Sequence, residues 1–316
     1  MAKSLVKGRV LYVSSGFYQV QLEDGREITC HPRGKLKMRR PDSFREDLIA
    51  MGDMVMISLQ TDGNSAIEDV LPRKTALIRS APTARGDYKQ ILLANPDQVV
   101  LVFACAQPDP HLRMLDRFLV ICERQQIQPI IAANKVDLVG DDQAQKLFSV
   151  YSDLGYPLIY TSAKKNQGIT ALKETLVDKL SGLVGPSGVG KSSLLNAIQP
   201  DLGLAVSSVS EGIMKKGRHT TVTRRLFPLN EGGYVADLPG IRMLSIWDIA
   251  PEELDGYFPE LRDLVSDCQF SNCTHTNELD CAVKKAVLKG EINPDRYESY
   301  VRMRYGEEIE VEGFEE

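Results

Sequence analysis

"GPSGVGKSSLLN" runs from Gly185 to Asn196 and fits the pattern Gly-x-x-x-x-Gly-Lys-Ser at the start of an amphipathic run. Glycines at these spacings let the backbone curl until successive N–H groups point inward and cradle phosphate oxygens. In this pattern Gly185, Ser187, Gly188, Val189 and Gly190 line the cradle and Lys191 reaches the outer phosphates. Ser192 and Ser193 open the helix that follows, with Ser192 set to ligate Mg2+. An isolated match of this length is only moderately specific, so the surrounding chain has to supply the context.

Four short stretches supply it. "NKVD" (Asn134–Asp137) ends an apolar run, and a carboxylate at Asp137 can accept from the N1–H and 2-amino groups of guanine, which adenine does not offer; Asn134 and Lys135 belong to the same loop. "TSA" (Thr161–Ala163) ends the next run, where the backbone at Ser162 and Ala163 suits a loop supporting the base. "DLPG" (Asp237–Gly240) offers a carboxylate for a Mg2+-bound water and, at Gly240, an N–H for a γ-phosphate. "HTT" (His219–Thr221) lies between the phosphate cradle and "DLPG", where a first-switch threonine, Thr221, would complete the magnesium ligands. Together these stretches predict a GTP-binding domain. Their order is reversed, because the base-reading stretches precede the phosphate cradle. A parallel sheet can be cut and rejoined without changing which strands are neighbours, so the reversal predicts a circularly permuted domain with an intact site.

Catalysis is less plainly written. Many GTPases place a water-orienting glutamine after Asp-x-x-Gly, but this chain has Ile241 there. His219 is the nearest candidate for that task; read blandly, it is one more basic surface residue of "KKGRH" (Lys215–His219). Slow intrinsic hydrolysis is expected. The segment "DKLSGLVGPSG" (Asp178–Gly188) has only Leu183 and Val184 as apolar residues directly before the cradle, which predicts a short entering strand or an early helix stop, and a looser phosphate loop.

Outward from these motifs the chain divides into three. Residues 1–75 alternate apolar and polar, as in "GRVLYVSSGFYQVQLEDGREITC" (Gly8–Cys30), and suit an OB-type β-barrel that binds RNA. Another small barrel would leave the same pattern. Residues 76–246 alternate continuous apolar strands such as "DQVVLVFAC" (Asp97–Cys105) with amphipathic helices, the pattern of an α/β domain with a covered parallel sheet. Residues 247–316 read as a helical unit around "CQFSNCTHTNELDC" (Cys268–Cys281). There Cys268, Cys273, His275 and Cys281 suit a closed tetrahedral zinc site that staples a small core. Buried free cysteines beside an unrelated histidine are the plainer reading.

The composition fits. The 316 residues are 43% hydrophobic and 26% charged, with a net charge of −5. No apolar run nears the ~20 residues of a membrane span, and no secretory signal opens the chain. A cytoplasmic protein is expected, with Cys30, Cys105 and Cys122 as buried apolar residues rather than a disulfide framework. The net charge argues against a uniformly basic nucleic-acid binder. Basic clusters at Arg33–Arg40 and Lys215–His219 can still track phosphates, and six glutamates in Gly306–Glu316 account for the negative sign.

Asn-Lys-x-Asp, Thr-Ser-Ala, the phosphate loop, His-Thr-Thr and Asp-x-Pro-Gly, followed by Cys-x4-Cys-x-His-x5-Cys, form an order that resembles the ribosome small-subunit-dependent GTPase A family over essentially the whole chain. The resemblance implies GTP as substrate with Mg2+, one structural Zn2+, contact with 16S rRNA, and hydrolysis stimulated by the small (30S) ribosomal subunit late in its assembly, with other assembly factors as further partners; the sequence gives no sign of oligomerisation, so a monomer is expected. Two alternatives stay open: a GTP-gated ribosome-binding module with negligible turnover, and an RNA-binding protein whose nucleotide domain is vestigial.

Overall fold

The computed structural model describes residues 5–14, 16–34, 36, 47–59, 65–83, 86–205, 225–238 and 249–306. His219, Thr221, Gly240 and Ile241 lie outside the described residues, as do the "KKGRH" cluster, most of Arg33–Arg40 and the glutamate-rich end.

Five strands close the N-terminal barrel: β1 (Leu5–Ser14), β2 (Phe17–Leu22), β3 (Glu27–Pro32), β4 (Met54–Ser58) and β5 (Ser65–Val70). Their order is β1-β2-β3-β5-β4, with β1 pairing back to β4 and β3 running parallel to β5. This is the OB arrangement. Val10, Val20, Cys30, Val55, Ile57 and Ile67 point inward, each fully buried. At Leu11 the pairing of β1 with β2 slips by one residue, so Val10 faces Val20 but Tyr12 faces Gln19. Such a bulge turns a side chain out of its strand's alternation, and Leu11 is fully buried in the next domain's core.

A hairpin follows, β6 (Ala76–Thr83) with β7 (Gly86–Ala94). Next comes the α/β domain, built from β8 (Gln98–Ala104), α1 (Leu112–Gln125), β9 (Gln128–Asn134), α2 (Asp141–Asp153), β10 (Leu158–Thr161), α3 (Ile169–Leu176), β11 (Leu180–Val184), α4 (Lys191–Ile198), β12 (Leu226–Pro228) and β13 (Tyr234–Asp237). Among the described residues the sheet order is β10-β9-β8-β11-β13-β12, parallel throughout except for the antiparallel edge strand β12. Along β8, Val99, Leu101 and Phe103 pack with α1 and α2, while Val100, Val102 and Ala104 pack with α3 and α4. Both faces are covered, which is why the strand reads as one apolar run.

The strand entering the phosphate loop is not thin. Helix α3 makes the early stop that the sequence allows, at Leu176, and all five residues of β11 are buried between β8 and β13. Ser181 and Gly182 are small for packing reasons. The Ser181 hydroxyl accepts from Gln98 at 2.9 Å, and a Cβ on Gly182 would lie 3.1 Å from both Leu93 and Leu238. Only Val177–Lys179 separates α3 from β11, at the end of the sheet opposite the loops after the strands. The joint that the reversed order requires therefore lies away from those loops.

The C-terminal unit contains a one-turn helix α5 (Pro259–Arg262), α6 (Ala282–Leu288) and α7 (Pro294–Arg304). It packs on α1, whose Val120 joins Leu254, Phe258, Leu261 and Tyr300 in one buried cluster. Arg296 is 2% exposed and bonds Asp116 of α1 at 2.7 Å and Glu260 at 2.7 Å. Asp116 also accepts from Tyr151 of α2 at 2.9 Å, so one buried network ties the unit to both helices. None of the six cysteines forms a disulfide, and Cys30, Cys105 and Cys122 are buried. Among the described residues no helix is long and apolar enough to cross a membrane.

Candidate nucleotide and metal sites

Four loops meet at the carboxyl ends of parallel strands, the place where open α/β sheets bind ligands. The 185–192 loop leaves β11 and turns into α4. Gly185 passes so close to β8 that a Cβ there would lie 2.1 Å from the Val102 carbonyl, and Gly188 and Gly190 have φ of +78° and +98°. Only glycine takes these positions without strain. Lys191 is almost buried, its ammonium 2.8 Å from the carbonyls of Gly185 and Pro186. Ser187 is exposed at the loop, Val189 is buried beneath it, and Ser193 lies in the first turn of α4.

Asn134 joins this loop to the ends of β9 and β10. Its amide donates to the Val189 carbonyl at 2.8 Å and its side-chain oxygen accepts from Thr161 at 3.2 Å. One buried side chain thus links β9, β10 and the phosphate loop. The Lys135 ammonium donates to the Gly188 carbonyl at 2.6 Å and also to the Gln107 carbonyl. Burial lowers the pKa of Lys135, against the pull of Asp137. Asp137 accepts from the Ser162 hydroxyl at 2.6 Å, and that hydroxyl accepts from the Lys165 N–H at 3.1 Å. Ser162 and Gln167 exchange both backbone bonds at 3.0 Å, closing the loop that carries Ala163. Stretches fifty residues apart therefore form one continuous rim.

Across the loop, the Ser192 hydroxyl donates to one oxygen of Asp237 at 3.0 Å. The other Asp237 oxygen is buried and has no hydrogen-bond partner among the described residues. An orphaned buried carboxylate oxygen is costly. Beside a serine hydroxyl it is a fitting donor set for a hard, oxygen-seeking dication such as Mg2+.

In the C-terminal unit the ligand atoms of Cys268, Cys273, His275 and Cys281 all lie within 4.8 Å of one another. His275 is fully buried, and its Nδ1 lies 3.5 Å from the Cys268 sulfur and 3.4 Å from the Cys281 sulfur. Its Nε2 faces Asp255 at 3.1 Å. A carboxylate there fixes the ring so that Nδ1 is the free ligand. Burial pushes the Cys273 thiol up to about 12 and raises Cys281 as well. A metal ion offsets that cost by binding the thiolates, so the donor set fits a closed metal site. Glu278 braces the loop, accepting from Thr274 and Thr276 N–H groups at 2.7 and 3.0 Å. Burial opposes ionisation of that carboxyl, but these bonds prevail and bring its pKa to about 2.

Sequence patterns bring together the phosphate loop, Asn134–Asp137, Ser162 and Asp237. They do not single out Asp255, which lies twenty residues before its histidine. They do not reveal that Thr161 orients Asn134 either, although "TSA" contains that threonine.

A base-reading loop preceding the phosphate loop within one parallel sheet defines a circularly permuted GTPase. A family model described as RsgA GTPase matches residues 70–247, and one described as RsgA N-terminal domain matches residues 7–67. The chain belongs to the RsgA GTPase family. It is 43% identical over 299 residues to the "Small ribosomal subunit biogenesis GTPase RsgA" of Gemmatimonas aurantiaca, covering 94% of this chain and 96% of that one. Its fold is similar to the crystal structure of YjeQ from Thermotoga maritima, at a TM-score of 0.77 and 39% identity over 96% of this chain and 98% of that one. It is similar too to YloQ, described as a circularly permuted GTPase, at a TM-score of 0.72 and 33% identity over 96% and 95% of the two chains.

Proposed function

We propose that this cytoplasmic GTPase hydrolyses GTP during late assembly of the small ribosomal subunit, with hydrolysis stimulated by that subunit. The observation that carries the nucleotide reading is the Asn134 link, which joins the guanine-reading rim to the phosphate loop. The family, and the name carried by the Gemmatimonas relative, support the ribosomal role.

In this reading Asp137 accepts from the two guanine N–H groups, held by Ser162, while Asn134 and Lys135 keep the rim and the loop in register. The 185–193 loop donates its N–H groups to the phosphates and Lys191 supplies the positive charge. Ser192 and Thr221 would hold Mg2+ and Asp237 a water bound to it; the ion would neutralise charge on the phosphate oxygens. Gly240 donates to the γ-phosphate, and His219 orients the attacking water in place of the glutamine that Ile241 replaces. Cys268, Cys273, His275 and Cys281 hold a structural Zn2+. Residues 1–75 act as the rRNA-binding barrel, 76–246 as the GTPase domain and 247–316 as the zinc unit of a monomer that meets 16S rRNA and other assembly factors.

The test is GTP turnover by purified protein with and without small ribosomal subunits, alongside His219→Ala. Stimulation of about a hundredfold or more, lost in the variant with nucleotide affinity intact, is expected. Turnover that ignores the subunit would contradict the proposal and leave GTP as a binding switch.

A further inference from the structure

Strands β12 and β13 form the edge hairpin of the GTPase sheet, and β12 is only three residues long. One side of β12 pairs with β13; just before it, Arg225 bridges to Tyr12 of the barrel. Arg225 also pairs with Glu27 of β3 at 2.9 Å. On β13, Tyr234 donates its hydroxyl to Gln21 of β2 at 2.7 Å, and Arg9 of β1 lies 5.0 Å from the centre of its ring. The bulge places Leu11 in the buried cluster that holds Leu226, Ala236 and Leu238. Three barrel strands therefore grip one hairpin of the GTPase domain.

That hairpin leads to the chemistry, from Tyr234 at the end of β13 away from the loops to Asp237 at the end beside them. Tyr234 stands three residues before Asp237 on one strand, about 10 Å along it. Arg225 follows Thr221 by four positions in the chain. The Arg225–Glu27 pair is partly exposed, at 36% and 30%, and pairs of that kind add little to stability.

We infer that Tyr234, Gln21 and the Arg225–Glu27 pair are positioning residues that couple the barrel to the nucleotide site, so that what the barrel grips and which nucleotide is held bias each other. The inference rests on the functional reading above. Coupling of this kind is reciprocal: a nucleotide that shifts Asp237 moves β13 under Tyr234, and a ligand that shifts β1–β3 moves Asp237.

The test uses the full chain with Tyr234→Phe, Glu27→Gln, and the charge-reversed pair Glu27→Arg with Arg225→Glu. Amide hydrogen exchange of residues 5–22 is compared with a non-hydrolysable GTP analogue plus Mg2+ and with GDP, and turnover is measured with and without small subunits. In the unaltered protein, exchange should differ about fivefold or more between the two nucleotides. Tyr234→Phe and Glu27→Gln should bind both nucleotides and turn GTP over alone as before, yet lose that difference and about fivefold or more of the subunit stimulation. The charge-reversed pair should recover both. Equal exchange in the two states, with fluorescence showing both nucleotides bound, would overturn the inference alone, as would full stimulation in both single variants. Failure to bind either nucleotide would overturn the functional reading and the inference with it.

Discussion

At the scale of the residue, the account turns on side chains that hold two loops at once. Asn134 is legible in sequence as part of Asn-Lys-x-Asp. Its bonds to Val189 and Thr161 are not, because they depend on strands that meet only in the fold. Asp255 escapes for the same reason: a carboxylate facing a buried histidine ring has no fixed spacing from it in the chain. The glycines are more readable, since their positions follow from backbone demands. A Cβ at Gly190 would lie 2.5 Å from the Asn134 amide nitrogen, at a φ of +98°. Gly190→Ala should therefore weaken binding of labelled GDP by about 1–3 kcal/mol, in a fluorescence titration, without unfolding the chain. Unchanged affinity would show that the loop tolerates displacement of Asn134.

At the scale of the element, the apolar runs of β8 and β9 and the alternation of the barrel strands were readable because each follows one burial pattern. Strand β11 was not, because counting apolar residues misjudges a central strand whose neighbours leave no room for larger ones. Gly182→Val would push a side chain between Leu93 and Leu238, already 3.1 Å from an added Cβ. It should cost about 1–3 kcal/mol, seen as a lower urea midpoint; an unchanged midpoint would show slack in the sheet. The β6–β7 hairpin was hidden because its support is remote. The side chain of Gln125, at the end of α1, bonds both the N–H and the carbonyl of Ile78, at 3.0 and 3.1 Å.

At the scale of the whole molecule, three units share seams that sequence patterns could not place. The C-terminal unit gathers the Cys/His cluster and is tied to the GTPase domain by the Asp116–Arg296–Glu260 network, whose members lie far apart in the chain. Removing metal with a chelator at neutral pH should make residues 268–281 sensitive to limited proteolysis while the GTPase domain still binds nucleotide, because the metal would be what joins the four donors of that loop. Equal resistance with and without chelator would assign its stability to packing alone. Asp116→Ala should cost about 1–3 kcal/mol, since Arg296 keeps Glu260 but the buried Tyr151 and Ser299 hydroxyls lose their acceptor, measured by chemical unfolding. The central claim is that the reversed order still closes one guanine site. The most direct measurement is the affinity of the unaltered protein and of Asp137→Asn for GDP and for xanthosine diphosphate. Xanthine carries a carbonyl where guanine carries its 2-amino group, so an asparagine amide can donate where the aspartate accepted. The account predicts that Asp137→Asn loses GDP and gains the xanthine nucleotide. Unchanged GDP affinity with no gain for xanthine would contradict it, because Asp137 would then not face the base.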